Sequence, residues 1–156
     1  MVRLQEFPPL TEETRNWLTG FSPGPVFTLL GIRLTGIEPG HSWLEMPFKE
    51  EMTHGGGIVQ GGILTVLADA AIAFAVRSVL DRAQNDQTSI DLKMNFIRPV
   101  SSGTMFAEGS VIHLGRKTAV GESIVVNEAG KPVAKCLSSV MILPAGSLPG
   151  NKDGHK

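Results

Sequence analysis

One acidic residue inside an otherwise apolar run constrains the fold of this chain more than any other feature. Between Ile63 and Val76 the sequence carries no charge except Asp69, and its only other polar side chain is the hydroxyl of Thr65. A helix that is apolar nearly all round has no face for solvent, so it has to be buried in a core or an interface. An ionised carboxylate in that setting is costly unless a specific partner or a chemical role accounts for it. Asp69 is therefore the first candidate for chemistry.

Length, charge and cysteine content narrow the class of protein. At 156 residues the chain fits one domain. A net charge of -1 and a pI near 6.4 lack the basic footprint of a general nucleic-acid binder, so we expect no nucleic-acid partner. The single cysteine, Cys136, excludes an internal disulfide and any zinc site built from several cysteines. Cys136 lies in a strand-like run, and we interpret it as a buried, inert thiol.

No segment of the sequence looks like a targeting signal or a membrane span. The first nine residues lack the apolar stretch of a secretory signal. The longest apolar run is too short for a bilayer, and Asp69 interrupts it. We therefore expect a cytoplasmic protein with no membrane partner.

Turn residues divide the chain into short helices, strands and one long helix. Thr11 is the expected N-cap of the first helix, residues 22–25 break it, and a glycine-rich loop at 48–57 precedes the long helix. The predicted helices are 11–18, 26–30 and a long one that begins at 59–61 and ends near 80. The predicted strands are 32–38, 42–47, 89–97, 104–114, 118–127 and 132–143.

These elements predict one folded domain between two flanking segments. Residues 1–26 are expected to form a helical lead-in, 27–143 the domain, and 144–156, which are rich in glycine, proline and charge, a disordered tail. Two strands, one long helix and then about four consecutive strands indicate an α+β arrangement. Because one curved antiparallel sheet covers only one face of an all-apolar helix, we expect a second copy to cover the other face in an obligate dimer.

The order of elements and two linked sequence blocks resemble a known family. The stretch 54–69 places consecutive glycines before a helix that reads Leu-Ala-Asp at 67–69, and the blocks 89–103 and 115–118 follow in order. The order of elements resembles the hotdog fold, in which an antiparallel sheet wraps a central helix and subunits pair. The blocks resemble the acyl-CoA thioesterases of phenylacetate degradation, the PaaI-like family, over about residues 27–143.

Two positions depart from the family's pattern. The usual His before the Gly-Gly pair is Gln60 here, and the usual Asn of the preceding loop is His54. Both replacements keep hydrogen-bonding capacity. Gln60 is predicted to orient the loop or the substrate carbonyl, with a role at the helix start as the alternative. His54 is either a substrate-facing donor or an exposed loop residue, and the spacing of the other histidines does not make it a metal ligand.

Thioester hydrolysis needs an activated water or a nucleophile, together with a donor for the oxyanion that develops on the carbonyl. Asp69 supplies a carboxylate that acts as a general base on water or attacks directly to form an anhydride; both routes stay open. Gly61 and Gly62, at the helix start, offer unpaired N–H groups and the positive end of the helix dipole. The resemblance implies that Gly61 is the oxyanion donor, and we assign Gly62 to substrate binding. The alternatives are a structural Asp69 and glycines that serve tight packing.

The spacing of these two groups has a geometric consequence. Asp69 lies eight residues beyond Gly61, which is about 12 Å along a helix axis. Groups that act on one thioester carbon have to converge to roughly 3–3.5 Å. If both roles hold, Asp69 comes from one subunit and Gly61 from its partner, which agrees with the shared site that the resemblance implies.

The resemblance also implies roles for residues after the helix. Ser89 occupies the position where relatives hold the hydrolytic water with Ser or Thr, with a plain strand hydroxyl as the alternative. Arg98, Arg116 and Lys117 are predicted to bind the phosphates of coenzyme A, with solvated turns as the alternative. Asp91 is expected on the same side of the strand as Ser89, in a structural role.

The leading hypothesis is an acyl-CoA thioesterase that releases a free acid and coenzyme A. We expect no metal and no separate cofactor, because coenzyme A is part of the substrate. One alternative is a hotdog hydratase or dehydratase, although those usually pair a His with a carboxylate and this helix has no His. The other is a non-catalytic hotdog dimer that binds acyl-CoA. A dimer of dimers is the expected assembly; the acyl group and the choice between coenzyme A and acyl carrier protein stay open.

Overall fold

A six-stranded antiparallel sheet and one long helix dominate the structure, a computed structural model that describes residues 7, 9–21 and 24–149. The helices are α1 Glu12–Thr19, α2 Pro25–Leu30 and α3 Gly61–Arg77, with a 3-10 turn at Glu50–Met52. The strands are β1 Arg33–Glu38, β2 His41–Pro47, β3 Asn85–Phe96, β4 Thr104–Leu114, β5 Thr118–Val126 and β6 Pro132–Pro144. They lie in the order β1-β2-β4-β5-β6-β3, so β1 and β3 are the edges. The predicted α+β class is confirmed.

Most predicted strands and helices agree with the structure to within one residue, and two differ by more. β3 begins at Asn85, four residues before the predicted start, because its polar first residues pair with the end of β6. α3 ends at Arg77, three residues before the predicted end. It ends there because the C-cap hydroxyl of Ser78 donates to the carbonyl of Ala75 (2.6 Å) and accepts from the N–H of Gly40 (2.8 Å).

A β-bulge changes which side chains of β3 share a face. Ser89 lies opposite Val140 and Asp91 lies opposite Ser139, so Ile90 is an extra residue between them. An extra residue shifts the alternation of side chains by one. Asp91 therefore faces the other side of the sheet from Ser89, and the expectation that the two share a side is wrong.

The sheet packs closely against one face of α3. A Cβ at Gly109 of β4 would lie 2.2 Å from the carbonyl oxygen of Ala71, so strand backbone rests directly on helix backbone. Two hydroxyls bridge the same contact. Ser42 Oγ donates to the carbonyl of Ala71 (2.7 Å), and Ser123 Oγ donates to the carbonyl of Ala68 (2.9 Å). We call this side of the helix the sheet face.

Part of the remaining surface of α3 is covered by the chain's own N-terminal helices. The rings of Trp17, Phe21 and Phe27 surround Phe74, with centroids 5.8, 5.3 and 6.0 Å from it. Aromatic pairs at these distances contribute favourable packing beyond their buried area. The two N-terminal helices therefore cover the part of this side around Phe74, and the expected second copy stays a prediction for the rest.

A stripe of α3 remains partly open to solvent. Its members recur at helical spacing, and none of them is fully buried. They are Gly62, Ile63, Val66, Asp69, Ala73 and Arg77. This stripe, the site face, runs beside β3, an edge strand on which Ile90 and Phe96 are 52% and 57% exposed. The helix that the sequence predicts as apolar on all sides is therefore closed on the sheet face and incompletely covered on the site face.

The predicted tail begins inside the described residues. The N–H of Ala145 donates to the carbonyl of Gln84 (2.9 Å), and the N–H of Leu148 donates to a carboxylate oxygen of Asp86 (3.3 Å). Residues 150–156 of that tail and residues 22–23 of the predicted helix break lie outside the described residues. Within 9–21 and 24–149, no helix is long and apolar enough to cross a membrane.

Candidate active site

Three hydrogen-bonded rungs join α3 to β3. Ser89 bonds to Asp69, Gln87 bonds to the carbonyl of Ala73, and Arg77 bonds to the carbonyl of Asn85. The rungs recur every two residues of strand, about 6.7 Å, and every four residues of helix, about 6 Å, so the two periods match. Strand and helix run in opposite directions along this ladder.

Asp69 and Ser89 form the first rung, and both were predicted as site residues. Ser89 Oγ donates to Asp69 Oδ1 at 2.7 Å, and the pair is partly buried. Within the described part of the chain, the second carboxylate oxygen has no hydrogen bond. A hydroxyl that donates its proton to a carboxylate keeps its lone pairs as acceptors. The rung therefore holds the Asp69 side chain in one orientation and presents an acceptor oxygen beside it.

The N-terminus of α3 supplies free peptide donors. Gln60 is the N-cap residue, its side chain makes no capping bond and is exposed, and its N–H donates to the carbonyl of Met52 (2.9 Å). Gln60 therefore lies at the helix start, where one of the two interpretations placed it, but its side chain does not cap the helix. The N–H of Gly61 has no hydrogen-bond partner among the described residues. A Cβ at Gly62 would meet nothing within 4 Å, so the helix end is open on that side.

A cavity of about 450 Å³ opens at this helix end. Gly61, His54 and Arg98, three of the predicted site residues, line it together with Phe96. The Phe96 ring lies where a Cβ of residue 61 would be, at 2.9 Å, so the glycine makes room for the ring. Sequence reasoning did not select Phe96; the signal available was a pair of large apolar residues, Phe96 and Ile97, at the end of a strand.

Hydrogen bonds fix the two polar side chains of this cavity. His54 Nδ1 accepts from the N–H of Gly56 (3.0 Å), so the proton of the neutral ring is on Nε2, which is free to donate. Arg98 Nη1 donates to the carbonyl of Pro132. Both side chains are exposed at the cavity mouth.

Arg116 and Lys117 lie elsewhere. They line a second cavity of about 780 Å³, together with Asn85 at the start of β3 and residues 141–144. Arg98 follows the other end of the same strand, which spans 12 residues or roughly 35 Å. One subunit therefore does not bring the three predicted phosphate-binding cations together.

Cys136 lies under the sheet face and takes no part in the site. Its side chain is 1% exposed, which confirms the predicted buried thiol. Burial raises the pKa of the thiol to about 11, with the negative charge of Asp69 as the second cause. The residue is therefore a neutral thiol at physiological pH. No group of three or more His, Cys, Asp or Glu side chains in the described ranges is arranged to hold a metal ion.

Within one subunit, the predicted residues thus form two half-sites on the same helix. The carboxylate half contains Asp69 and Ser89, and the donor half contains Gly61 with His54 and Arg98. Eight residues of α3 separate Asp69 from Gly61, about 12 Å along the axis. That distance exceeds what one thioester group spans.

Comparisons with known proteins agree with the predicted fold and family. Residues 56–134 match the family model described as the thioesterase superfamily. The Saccharolobus solfataricus protein SSO2140 is 34% identical over 118 residues, 76% of this chain and 83% of its own. The Escherichia coli acyl-coenzyme A thioesterase PaaI is 34% identical over 106 residues, 67% of this chain and 73% of its own.

A third relative and a solved structure extend the agreement. The Klebsiella pneumoniae proofreading thioesterase EntH is 29% identical over 126 residues, 81% of this chain and 91% of its own. The solved structure of E. coli PaaI superposes on this chain with a TM-score of 0.75 at 25% sequence identity. The match covers 84% of this chain and 91% of that one. These findings confirm the predicted hotdog fold and the predicted resemblance. The chain belongs to the thioesterase superfamily and is a thioester hydrolase.

Proposed function

We propose that the chain is an acyl-CoA thioesterase whose active site forms between two subunits, with Asp69 of one subunit and Gly61 of its partner acting on one thioester. The observation that carries this proposal is the partly buried hydrogen bond between Ser89 and Asp69 on the site face of α3. The coenzyme A part of the proposal is supported by the name of the relative PaaI, an acyl-coenzyme A thioesterase.

Asp69 is suited to either route of hydrolysis. As a general base, it takes a proton from water, and the resulting hydroxide attacks the thioester carbon. As a nucleophile, its free oxygen attacks that carbon, and water then cleaves the anhydride. In both routes the C–S bond breaks, and the sulfur leaves as a thiolate that takes up a proton. Ser89 serves the first route directly, because its lone pairs accept a hydrogen bond from the attacking water.

The oxyanion is the second requirement, and the N-terminus of α3 suits it. The unpartnered N–H of Gly61 lies at the positive end of the helix dipole, where negative charge is stabilised. Gly61 lines the cavity beside Phe96, and we assign this cavity to the thioester end of the substrate. His54 Nε2 and Gln60 are further donors at the mouth of this cavity. Gly62 leaves the approach open.

A two-fold axis perpendicular to α3, at the middle of the site face, would join the two halves. In each subunit Asp69 lies beside Ser89 and Gly61 lies beside Phe96. Antiparallel pairing of β3 with its copy, about an axis near Thr65, would bring the partner subunit's Gly61 to Asp69. The exposed apolar residues of this long edge strand favour such pairing, because an unpaired edge with apolar side chains is otherwise prone to aggregation.

The same two-fold symmetry would bring the predicted phosphate-binding side chains close together. Arg98 follows the end of β3, and the cavity of Arg116 and Lys117 includes its start, so antiparallel strands would bring Arg98 of one subunit toward the hairpin of the other. Coenzyme A carries several phosphate charges, which guanidinium and ammonium groups bind well. We propose that this joint surface holds the coenzyme.

The other expectations from the sequence stay proposals. A carboxylate and peptide N–H groups supply the base and the oxyanion donor, so the proposed route uses no resident cofactor and takes coenzyme A only as substrate. The dimer of dimers, the cytoplasmic location, the lack of nucleic-acid and membrane partners, and the division into lead-in, domain and tail are carried forward as predictions.

Thiol release from a panel of phenylacetyl-, benzoyl-, short-chain and medium-chain acyl-CoAs tests the proposed function. The comparison is between the wild type and Asp69→Asn, since Asn keeps an acceptor for the Ser89 hydroxyl and removes the base. We expect Asp69→Asn to lower kcat at least about 100-fold, as loss of a general base does, while the dimer persists. Asp91→Asn is the matched control, because that carboxylate is exposed on the opposite side of β3. Full activity of Asp69→Asn would contradict the proposal, and so would a folded wild type that hydrolyses no member.

A further inference from the structure

The edge strand β3 carries two side chains of opposite charge on the side of the sheet that faces away from α3. Asp91 and Lys93 are both exposed, and both follow the bulge at Ile90. Neither side chain belongs to an ion pair within the described ranges. Across the ladder to β6 they lie opposite Ser139 and Leu137, which carry no charge. Because β3 is an edge of the sheet, the two charges are left for a partner at that edge.

The ladder that joins α3 to β3 locates the two-fold axis on the strand. Its three rungs advance four residues of helix for every two of strand and end at the pair Asp69 and Ser89. One further step toward the start of the helix, counted past the bulge, sets Thr65 beside Leu92. Leu92 packs against the core, as a residue on the helix side of the strand should. The proposed shared site has its axis near Thr65, so the two copies of β3 should meet at Leu92.

Charge distinguishes this register from its neighbours. In an antiparallel pair about a two-fold axis, outer side chains lie opposite outer side chains. With Leu92 on the axis, Asp91 lies opposite the partner's Lys93, and symmetry repeats the pair. An axis at Lys93 sets two ammonium groups opposite each other, an axis at Asp91 sets two carboxylates opposite each other, and an axis at Met94 pairs neither charge. Opposite charges across a strand pair are favourable and like charges are unfavourable, so the charges favour the axis at Leu92.

We propose that the two pairs between Asp91 of one subunit and Lys93 of the partner subunit set the register of the dimer, and with it the geometry of the shared active site. This inference rests on the proposed function. An axis one residue away would slide the strands by two residues, about 6.7 Å. That slip would carry Asp69 away from the partner subunit's Gly61, beyond the reach of one thioester group. Asp91 and Lys93 are therefore positioning residues, which act through the register and touch no substrate.

The affinity of the dimer and its register have different sources. Backbone hydrogen bonds and the apolar side chains of the edge supply affinity, whereas an exposed ion pair contributes little. Repulsion between like charges in the wrong registers supplies the selection. Asp91→Asn creates no like-charge pair in the proposed register, so it should keep the dimer and its kcat. A reversed charge at either residue creates two such pairs in every dimer.

Charge reversal tests the pairing, because the two reversed variants should repel themselves and fit each other. Asp91→Lys places two Lys–Lys pairs in its own dimer, and Lys93→Asp places two Asp–Asp pairs in its own. A mixed dimer has two opposite-charge pairs again. After co-expression in equal amounts, about nine-tenths of the dimers should be mixed, where random pairing gives about half. Native mass spectrometry counts the three species, and the excess should shrink as salt is added.

The matched control reverses two charges at the other edge of the sheet. Glu38→Lys and Arg33→Asp change exposed residues of β1, which is remote from β3 in the strand order. After co-expression these two variants should pair at random. An equal excess of mixed dimers in the control would overturn the role of Asp91 and Lys93.

Cross-linking locates the axis directly. Asp91→Cys mixed with Lys93→Cys should form a disulfide between subunits, because opposite residues of an antiparallel pair lie roughly 4.5–5.5 Å apart. Either variant alone should not, because its two copies are diagonal neighbours roughly 8 Å apart. The native Cys136 is 1% exposed and does not compete. A disulfide formed by Lys93→Cys alone would place Lys93 on the axis and overturn the proposal.

Thiol release from acyl-CoA separates this inference from the proposed function. Either reversed variant alone should lose at least about tenfold in kcat, and the mixed dimer should recover wild-type kcat. Random mixing of the two reversed variants, with Asp69-dependent hydrolysis in the wild type, would overturn the register alone. An excess of mixed dimers, with no hydrolysis of any acyl-CoA by the wild type, would support the register and contradict the proposed function.

Discussion

The two faces of α3 carry different kinds of residues, although they belong to one helix. On the sheet face, glycines and serines of the sheet contact the helix backbone, and the side chains are small and fully buried. On the site face, Asp69 and Arg77 make one hydrogen bond each to β3 and keep other polar atoms unpaired. Close packing therefore satisfies the sheet face, whereas the site face is left with polar atoms that a substrate or a partner subunit has to satisfy.

The largest expected difference between the two faces is the effect on stability of one added methyl group. Gly109→Ala places a Cβ 2.2 Å from the carbonyl oxygen of Ala71, where backbone has to move. We expect the free energy of unfolding to fall by about 3 kcal/mol, the upper range of overpacking. Gly62→Ala, on the site face, meets nothing within 4 Å and should leave stability unchanged or slightly higher. Urea unfolding measures both, and equal stability of the two variants would contradict the difference in packing.

Three serines that bond to α3 provide a matched comparison of hydroxyls. Ser89→Ala should lower kcat about tenfold or more, because the carboxylate loses its fixed orientation and the water loses an acceptor. Ser42→Ala and Ser123→Ala remove hydroxyls bonded to helix carbonyls, so each should cost about 1 kcal/mol of stability and leave kcat unchanged. Steady-state kinetics and unfolding curves on the same preparations check this. An equal loss of kcat in all three variants would contradict the different roles assigned to Ser89 and to the other two serines.

The hairpin cations should affect binding and not chemistry. Replacing Arg116 and Lys117 by Ala should raise KM for acyl-CoA by up to about fivefold per residue at low salt, as expected for exposed ion pairs. The effect should shrink as salt is added, because exposed charges are screened. The kcat value should not change. Titration of KM against ionic strength measures this, and a KM that is unaffected at low salt would remove both residues from the coenzyme site.

The smallest effect at neutral pH should come from Cys136, under the sheet face. Burial raises the pKa of its thiol from 9.0 to about 11. A thiol whose pKa is higher in the folded state favours folding below pH 9, and this contribution is lost as the pH rises toward 11. The wild type should therefore lose stability between pH 9 and pH 11 more steeply than Cys136→Ala. Equal slopes of the free energy of unfolding against pH in the wild type and Cys136→Ala would contradict this contribution of the thiol.

The sequence predicted the parts of the molecule that depend on local pattern. The apolar run around Asp69 predicted the long helix, and turn residues predicted most strand bounds. The ladder was not predictable, because its last rungs use Asn85 and Gln87, polar residues that join β3 only by pairing with β6. The bulge at Ile90 is likewise a property of pairing and reversed the expected side of Asp91.

The remaining differences also arise from tertiary contacts. The aromatic rings of the lead-in cover part of α3, and nothing in their spacing assigns them to Phe74. Arg77 reads as an ordinary cation in the last helical turn, and only its burial beside Gln87 distinguishes it. Asp69 and Ser89, by contrast, were both selected from sequence, and the structure joins them by a hydrogen bond.

The central claim is that one active site takes Asp69 from one subunit and Gly61 from the other. Two inactive proteins test it. One is Asp69→Asn, and the other is Gly61→Pro, which removes the peptide donor at a helix position that tolerates proline. The backbone of Gln60, at φ −60° and ψ 132°, suits a residue before proline. Gly61→Ala is the matched control, since it keeps the N–H and adds the same Cβ against Phe96.

The decisive measurement is thiol release by the two inactive proteins after co-expression in equal amounts. Random pairing makes half of the dimers mixed, and each mixed dimer contains one intact site of two. The shared site therefore predicts recovery of about a quarter of wild-type activity, while each variant alone stays inactive. If the mixture is as inactive as its components, although mixed dimers form, the two groups do not act across the interface and the account is contradicted.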